Sequence, residues 1–192
     1  GTSIFPKGDQ MFRAFKETPY KDLKVVIIGQ DPYPQVGVAD GLAFSCSNTE
    51  QCQPSLIEIH REIERTVYNG MNLTDNVYNP DLKYLANQGV LLLNSSLTVR
   101  KNIPGSHTDL WKPFMEHVIH KLNTDNSNLV FILIGGTAKE LYYGKIAPFT
   151  HDVFCVKHPA WATRNNVKWD SENIFKITNE ILNKHKQTTI NW

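Results

Sequence analysis

Cysteine is scarce in this 192-residue chain: Cys46, Cys52 and Cys155 are an odd number with no repeated CxxC spacing. That excludes a zinc ribbon, a four-cysteine iron–sulfur cluster and a secreted disulfide framework, and it points to a reducing, intracellular compartment, the cytoplasm in a bacterium. Long apolar runs are missing too. Residues 25–28 and 129–134 are the longest, far below the roughly 18 that a membrane-spanning helix needs, so no membrane partner is expected. No basic and then apolar leader opens the chain, and Gly1-Thr2-Ser3 reads as a tag remnant. Neither sign of charge dominates: 20 Lys+Arg against 19 Asp+Glu leave a net +1. This excludes a polycationic nucleic-acid coat but leaves room for a local phosphate-binding face. Repeats, low-complexity tracts and Pro/Gly/Ser-rich linkers are absent, so residues 4–192 are expected to form one domain. A monomer is expected.

What the chain does contain is an alternation of two patterns. Short apolar runs at 24–28, 90–93, 129–134 and 153–156, bounded by Gly, Pro, Asn or His, predict strands buried on both faces. Helical stripes lie between and after them: Leu56, Ile59, Ile63 and Val67; then Trp111, Phe114, Met115, Val118, Ile119 and Leu122; then Ile174, Ile177, Ile181 and Leu182. Strands alternating with helices imply right-handed crossovers and a parallel sheet between helical layers, an α/β/α sandwich. Ligands of such sheets bind beyond the carboxyl ends of the strands.

Each of those four exits carries glycine or polar groups. They read Gly29-Gln30-Asp31-Pro32-Tyr33-Pro34, Asn94-Ser95-Ser96, Gly135-Gly136-Thr137 and His158-Pro159-Ala160. Singly, each has a plain reading as a turn or a strand end. Jointly they bring a carboxylate, an amide, an imidazole and aromatic rings to one edge. Ser55 with Glu58, and Thr137 with Glu140, read as capping boxes; the alternative is that these helix starts bind phosphate. The glycines match neither GxxxxGK[ST] nor GxGxxG, and no GxSxG elbow is present. His117 and His120 lack a third metal ligand nearby and are expected on a solvated face, so no metal is predicted.

The blocks GQDPY at 29–33, GLAFS at 41–45, PSL at 54–56, GVLLLNSSLTV at 89–99, SH at 106–107 and HPA at 158–160 resemble, in order, those of the uracil-DNA glycosylases. The resemblance runs from Ile4 to Trp192. It implies a four-stranded parallel sheet in the order 2-1-3-4, and an enzyme that flips uracil out of single- or double-stranded DNA and hydrolyses its N-glycosidic bond without metal or cofactor. In that light Asp31 is the carboxylate that stabilises the oxocarbenium-like sugar and orients water. His158 is the neutral donor to uracil O2. Asn94 reads the O4 and N3 edge, Phe44 stacks on the base, Tyr33 excludes a C5 methyl, and Gln30 supports base recognition. Pro54, Ser55, Gly136, Thr137 and the run Pro159, Ala160, Trp161, Ala162 are implied to contact DNA. Replication proteins and a DNA-mimicking protein inhibitor are further implied partners.

Two departures stand out. Pro34 replaces the last histidine of the family's GQDPYH, so either another group such as His107 helps place water or the rate suffers. The family's HPSPLS loop reads His158-Pro159-Ala160-Trp161-Ala162-Thr163 here, so Ala160 lacks a phosphate-binding hydroxyl and Ala162 stands at the leucine wedge. Arg164 and Lys168 can restore phosphate affinity, and Trp161 is either a replacement wedge or a core ring. These departures keep open an alternative, a replication-accessory DNA-binding protein built on the same scaffold.

Overall fold

The computed structural model describes residues 3–71, 78–144 and 151–192, with Gly1 and Thr2 of the expected tag remnant outside them. In chain order its elements are β1 (Ile4–Phe5), α1 (Arg13–Glu17), β2 (Val25–Gly29), α2 (Pro54–Thr66), α3 (Lys83–Ala86), β3 (Val90–Asn94), β4 (Val99–Arg100), α4 (Thr108–Asp125), β5 (Val130–Ile134), α5 (Gly136–Tyr143), β6 (Asp152–Val156), α6 (Pro159–Arg164) and α7 (Ile174–Lys184).

The run Val25-Val26-Ile27-Ile28 is β-branched throughout and fully buried, which suits a central strand covered on both faces. It pairs in parallel with β3 on one side and β5 on the other, and β6 closes the sheet in the order β3-β2-β5-β6. Counted along the chain, these four strands run 2-1-3-4, as the resemblance implies. The two sheet edges differ. β3 is buried along its whole length because α1 and α3 pack on it, whereas β6 is only half-buried along most of its length, contrary to the expectation of four strands buried on both faces. A small antiparallel ribbon, β1 with β4, is an element that periodicity did not show.

The predicted stripes on α2 and α4 bury Leu56, Ile59 and Ile63, and Met115, Ile119 and Leu122. On α7 the buried set is Ile174, Phe175, Thr178 and Leu182, so the stripe is turned away from Ile177 and Ile181. Trp192 packs on this face: its ring meets Phe175 edge-on at 5.0 Å, and its Nε1 donates to the Phe175 carbonyl at 3.0 Å. Removing such a core ring costs roughly 3–5 kcal/mol. Both predicted capping boxes are corrected. The N-caps of α2 and α5 are Gln53 and Gly135, so Ser55 and Thr137 are second residues inside their helices, and Glu58 turns to Arg61 instead. His117 and His120 are exposed on α4, as expected of a solvated face.

Candidate active site

Because all four sheet strands are parallel, their exits meet on one side, around a cleft of about 360 Å3. Gln30, Asp31, Tyr33, Phe44, Ser55, Asn94, His158 and Ala160 line it, with Pro34, Pro104 and Arg164.

The floor is set by backbone closeness at the end of β2. A Cβ on Gly29 would lie 2.8 Å from Asn94 Oδ1 and 3.1 Å from the Phe44 ring, so only glycine lets the amide and the ring close over this strand. Asn94 is the last residue of β3, directly beside Gly29 in register and 7% exposed. The amide and hydroxyl of Ser95 both donate to the Gly29 carbonyl, at 3.0 and 2.8 Å, which locks the two exits together.

Asp31 follows two residues later. Its Oδ2 accepts the Gly105 amide at 2.5 Å. Burial pushes its carboxyl above the ordinary carboxylate range, and the Gly105 bond, made to the charged form, opposes that rise. Phe44 forms a wall of the cleft, and its φ of +66° is one that a non-glycine residue holds only with support. Part of that support is the Tyr33 hydroxyl, which donates to the Phe44 carbonyl at 3.0 Å.

His158 leaves β6 as the N-cap of α6, and its Nδ1 accepts the Ala160 amide at 3.1 Å. A ring that accepts at Nδ1 carries its proton on Nε2, so the one N–H it can offer a ligand is Nε2–H. Burial, reinforced by the nearby Arg164 cation, lowers its pKa to about 4, which keeps it neutral at ordinary pH. The ring lies 5.7 Å from that of Phe44, and Gly135 leaves room for it, since a Cβ there would come within 3.3 Å of His158 Cβ.

Several predicted residues lie elsewhere. Pro54, Gly136, Thr137, Pro159, Trp161 and Ala162 are not among the residues lining the cleft. Pro159 is buried and Ala162 is 0% exposed, so neither side chain presents a surface to solvent. Trp161 is 42% exposed with Lys157 Nζ 4.2 Å above its ring, which removes the core-ring alternative. His107, one alternative for placing water in view of Pro34, is buried, with Nδ1 2.9 Å from the Thr98 hydroxyl, and is not among the residues lining the cleft. Lys168 lies with Arg61 and Asp170 on another surface. Gly105 was missed because a backbone amide 74 positions from Asp31 leaves no mark in the sequence. Arg164, noted only for phosphate affinity, lines the cleft itself.

The profile of the Uracil DNA glycosylase superfamily matches residues 15–183. The chain is 39% identical to a uracil-DNA glycosylase of Christiangramia forsetii over 189 residues, 98% of this chain and 83% of that protein. It is 40% identical to one of Borrelia duttonii over 193 residues, 98% of this chain and 82% of that protein. Among solved structures, mimivirus uracil-DNA glycosylase superposes with a TM-score of 0.85 at 27% identity, covering 100% of this chain and 75% of that one. A mimivirus variant in complex with UGI superposes with a TM-score of 0.87 at 25% identity, covering 100% and 76%.

Proposed function

The chain belongs to the uracil-DNA glycosylase superfamily and excises uracil from DNA in base-excision repair; we propose that it does so between two charge-stabilising poles, Asp31 and His158. In this reading the bond between the sugar C1′ and uracil N1 breaks with its electrons moving into the base, and water adds to C1′ and gives up a proton. Positive charge builds on the sugar near Asp31 and negative charge on uracil O2 near His158. Fixed groups aimed at developing charge in a desolvated cleft are the strongest electrostatic lever a site has. The observation that carries the reading is the Ala160 amide donating to His158 Nδ1 at 3.1 Å. With Nδ1 held by the Ala160 amide and the ring neutral, Nε2–H is available to an anionic O2 without an added positive charge.

The specificity roles follow from the same cleft. The Asn94 amide donates to O4 and accepts from N3–H, a pattern that cytosine inverts. Phe44 stacks on the ring, Tyr33 occupies the space beside C5, and Gln30 supports the base from the same loop. Ser55 and the start of α5 at Gly136 and Thr137 grip phosphates on either side, with Arg164 at the rim, and Trp161 fills the gap that the flipped base leaves in duplex DNA. A DNA-mimicking protein inhibitor is a partner that such a face suits, as UGI is found in complex with the mimivirus relative. The replication-accessory reading is not favoured, because relatives named for glycosylase activity match nearly the full chain.

The test is to incubate the protein with a uracil-containing oligonucleotide in EDTA and then cleave abasic sites with alkali. Cleavage at uracil is expected, and Asp31→Asn and His158→Ala should each slow the single-turnover rate by roughly 10² or more while DNA affinity changes little. Absence of cleavage at stoichiometric protein would sink the proposal, and a near-wild-type rate for Asp31→Asn would remove the aspartate from it.

A further inference from the structure

Asp40 is a carboxylate with 0% exposure, nine residues beyond Asp31 and not among the residues lining the cleft. Its Oδ2 accepts three donors, Arg13 Nη1 at 2.9 Å, the Ser45 hydroxyl at 2.6 Å and the Ser47 amide at 2.9 Å, while Oδ1 accepts the Leu42 amide at 3.1 Å. The loop from 40 to 47 is thus wound around one charge. Phe44 sits between the bound residues Leu42 and Ser45, in the left-handed conformation already noted. Arg13 ties the assembly to the rest of the fold, donating also to Asp81 at 3.0 Å and to the Ser47 hydroxyl at 3.3 Å.

We propose that the Arg13–Asp40 pair, with its carboxylate buried, is a positioning device for the base-stacking ring: it holds the 40–47 loop so that Phe44 stays at φ +66° with its ring against the uracil site. The inference rests on the reading of Phe44 as the stacking residue. It requires a charged acceptor at position 40, because four donors converge there and only a carboxylate accepts at both oxygens. An amide of the same shape presents N–H to one group of those donors and releases that side of the loop. Arg13 and Asp40 act through Phe44 and do not touch the base.

A double-mutant cycle separates this role from general support of the fold. Wild type, Asp40→Asn, Phe44→Ala and the double variant are compared on a single-stranded uracil oligonucleotide at one salt concentration, with kcat, KM, inhibition by free uracil and affinity for a uracil-free oligonucleotide measured for each. Asp40→Asn should lower kcat/KM and weaken free uracil by about tenfold, leave uracil-free DNA affinity within about twofold, and add no more than about twofold in the Phe44→Ala background. Full additivity of the two changes would overturn the positioning role alone. An unchanged kcat/KM in Phe44→Ala would overturn the stacking reading and the inference with it. Arg13→Gln provides a second arm if Asp40→Asn does not fold, with the same coupling to Phe44 expected; Arg13→Lys, which keeps a cation beside Asp40, should recover part of the loss. Equal losses in Arg13→Gln and Arg13→Lys would overturn the role of the charge.

Discussion

Replacing Arg164 by glutamine removes one of the two influences that hold His158 neutral and leaves the other. Burial is the larger influence and the Arg164 cation the second; together they take the imidazole from 6.5 to about 4. At about 1.36 kcal/mol per pH unit, that displacement corresponds to roughly 3 kcal/mol in favour of the neutral ring. At pH 7 about one ring in a thousand is then protonated, against roughly one in four for an ordinary histidine. Protonation would also place an Nδ1–H against the Ala160 amide and cost α6 its N-cap bond. Arg164→Gln should therefore raise the pKa above 4 yet leave it below 6.5, because the burial is unchanged. The folded-state value lies below the unfolded one, so the stability it contributes is fully present above pH 6.5 and is lost as pH falls toward 4. Asp31 has the opposite sign: its raised carboxyl favours folding most below 3.8, and that contribution fades as pH rises through its folded value. Ring 15N and 13C NMR across pH 3.5–8 reports both the titration and the tautomer. A wild-type ring that titrates near 6.5, or one that carries its proton on Nδ1, would refute the argument, and an unmoved pKa in Arg164→Gln would remove the arginine from it.

Gly29→Ala should lower kcat/KM by about 10² with a much smaller loss of thermal stability, since its methyl meets Asn94 Oδ1 at 2.8 Å and misplacing a recognition group by about 1 Å has that scale of effect; an unchanged kcat/KM would contradict the close packing of the floor. Asn94→Asp should begin to accept cytosine and Tyr33→Ala thymine, and Tyr33→Phe should cost about fivefold on uracil, the worth of its bond to the Phe44 carbonyl, without admitting thymine; release assays with the three bases decide this, and full retention of uracil selectivity in Asn94→Asp and Tyr33→Ala would mean that the pocket is misassigned. Trp161→Ala should reduce the ratio of duplex to single-strand kcat/KM by about tenfold, within the usual worth of aromatic stacking on a base, and equal ratios would exclude it from base extrusion. Ala162→Leu should lower stability by about 1–3 kcal/mol through overpacking and leave that ratio uncorrected; an improved duplex reaction would show that position 162 reaches DNA after all.

The β-branched run at Val25 to Ile28 predicts its strand because few other environments suit four consecutive apolar side chains. The exits of such strands can then be placed on one edge without knowing any contact. That is why Asp31, Asn94 and His158 were legible as one constellation. The strand order was not in the periodicity and came through the resemblance. The supports were hidden for a different reason. Gly105 acts through a backbone amide, and Asp40 and Arg13 are joined across 27 positions, so no local pattern distinguishes either from ordinary loop residues. For His107 the alternatives stayed open, because a polar residue near a strand exit has the same sequence appearance whether it faces the cleft or the Thr98 hydroxyl.

The segment after His158 shows how a change in residue type reshapes a loop. A proline- and serine-rich loop has no reason to be helical, but Ala160-Trp161-Ala162-Thr163-Arg164 contains good helix formers, Pro159 suits the first helical position, and His158 supplies the cap. The stretch therefore closes as α6 and packs against α2. Successive residues on a helix point about 100° apart. The turn that buries Ala162 against the core is thus the same turn that presents Trp161 to solvent. On this geometry a leucine restored at position 162 would enter the core, and the wedge proposed for this protein is Trp161, one residue earlier.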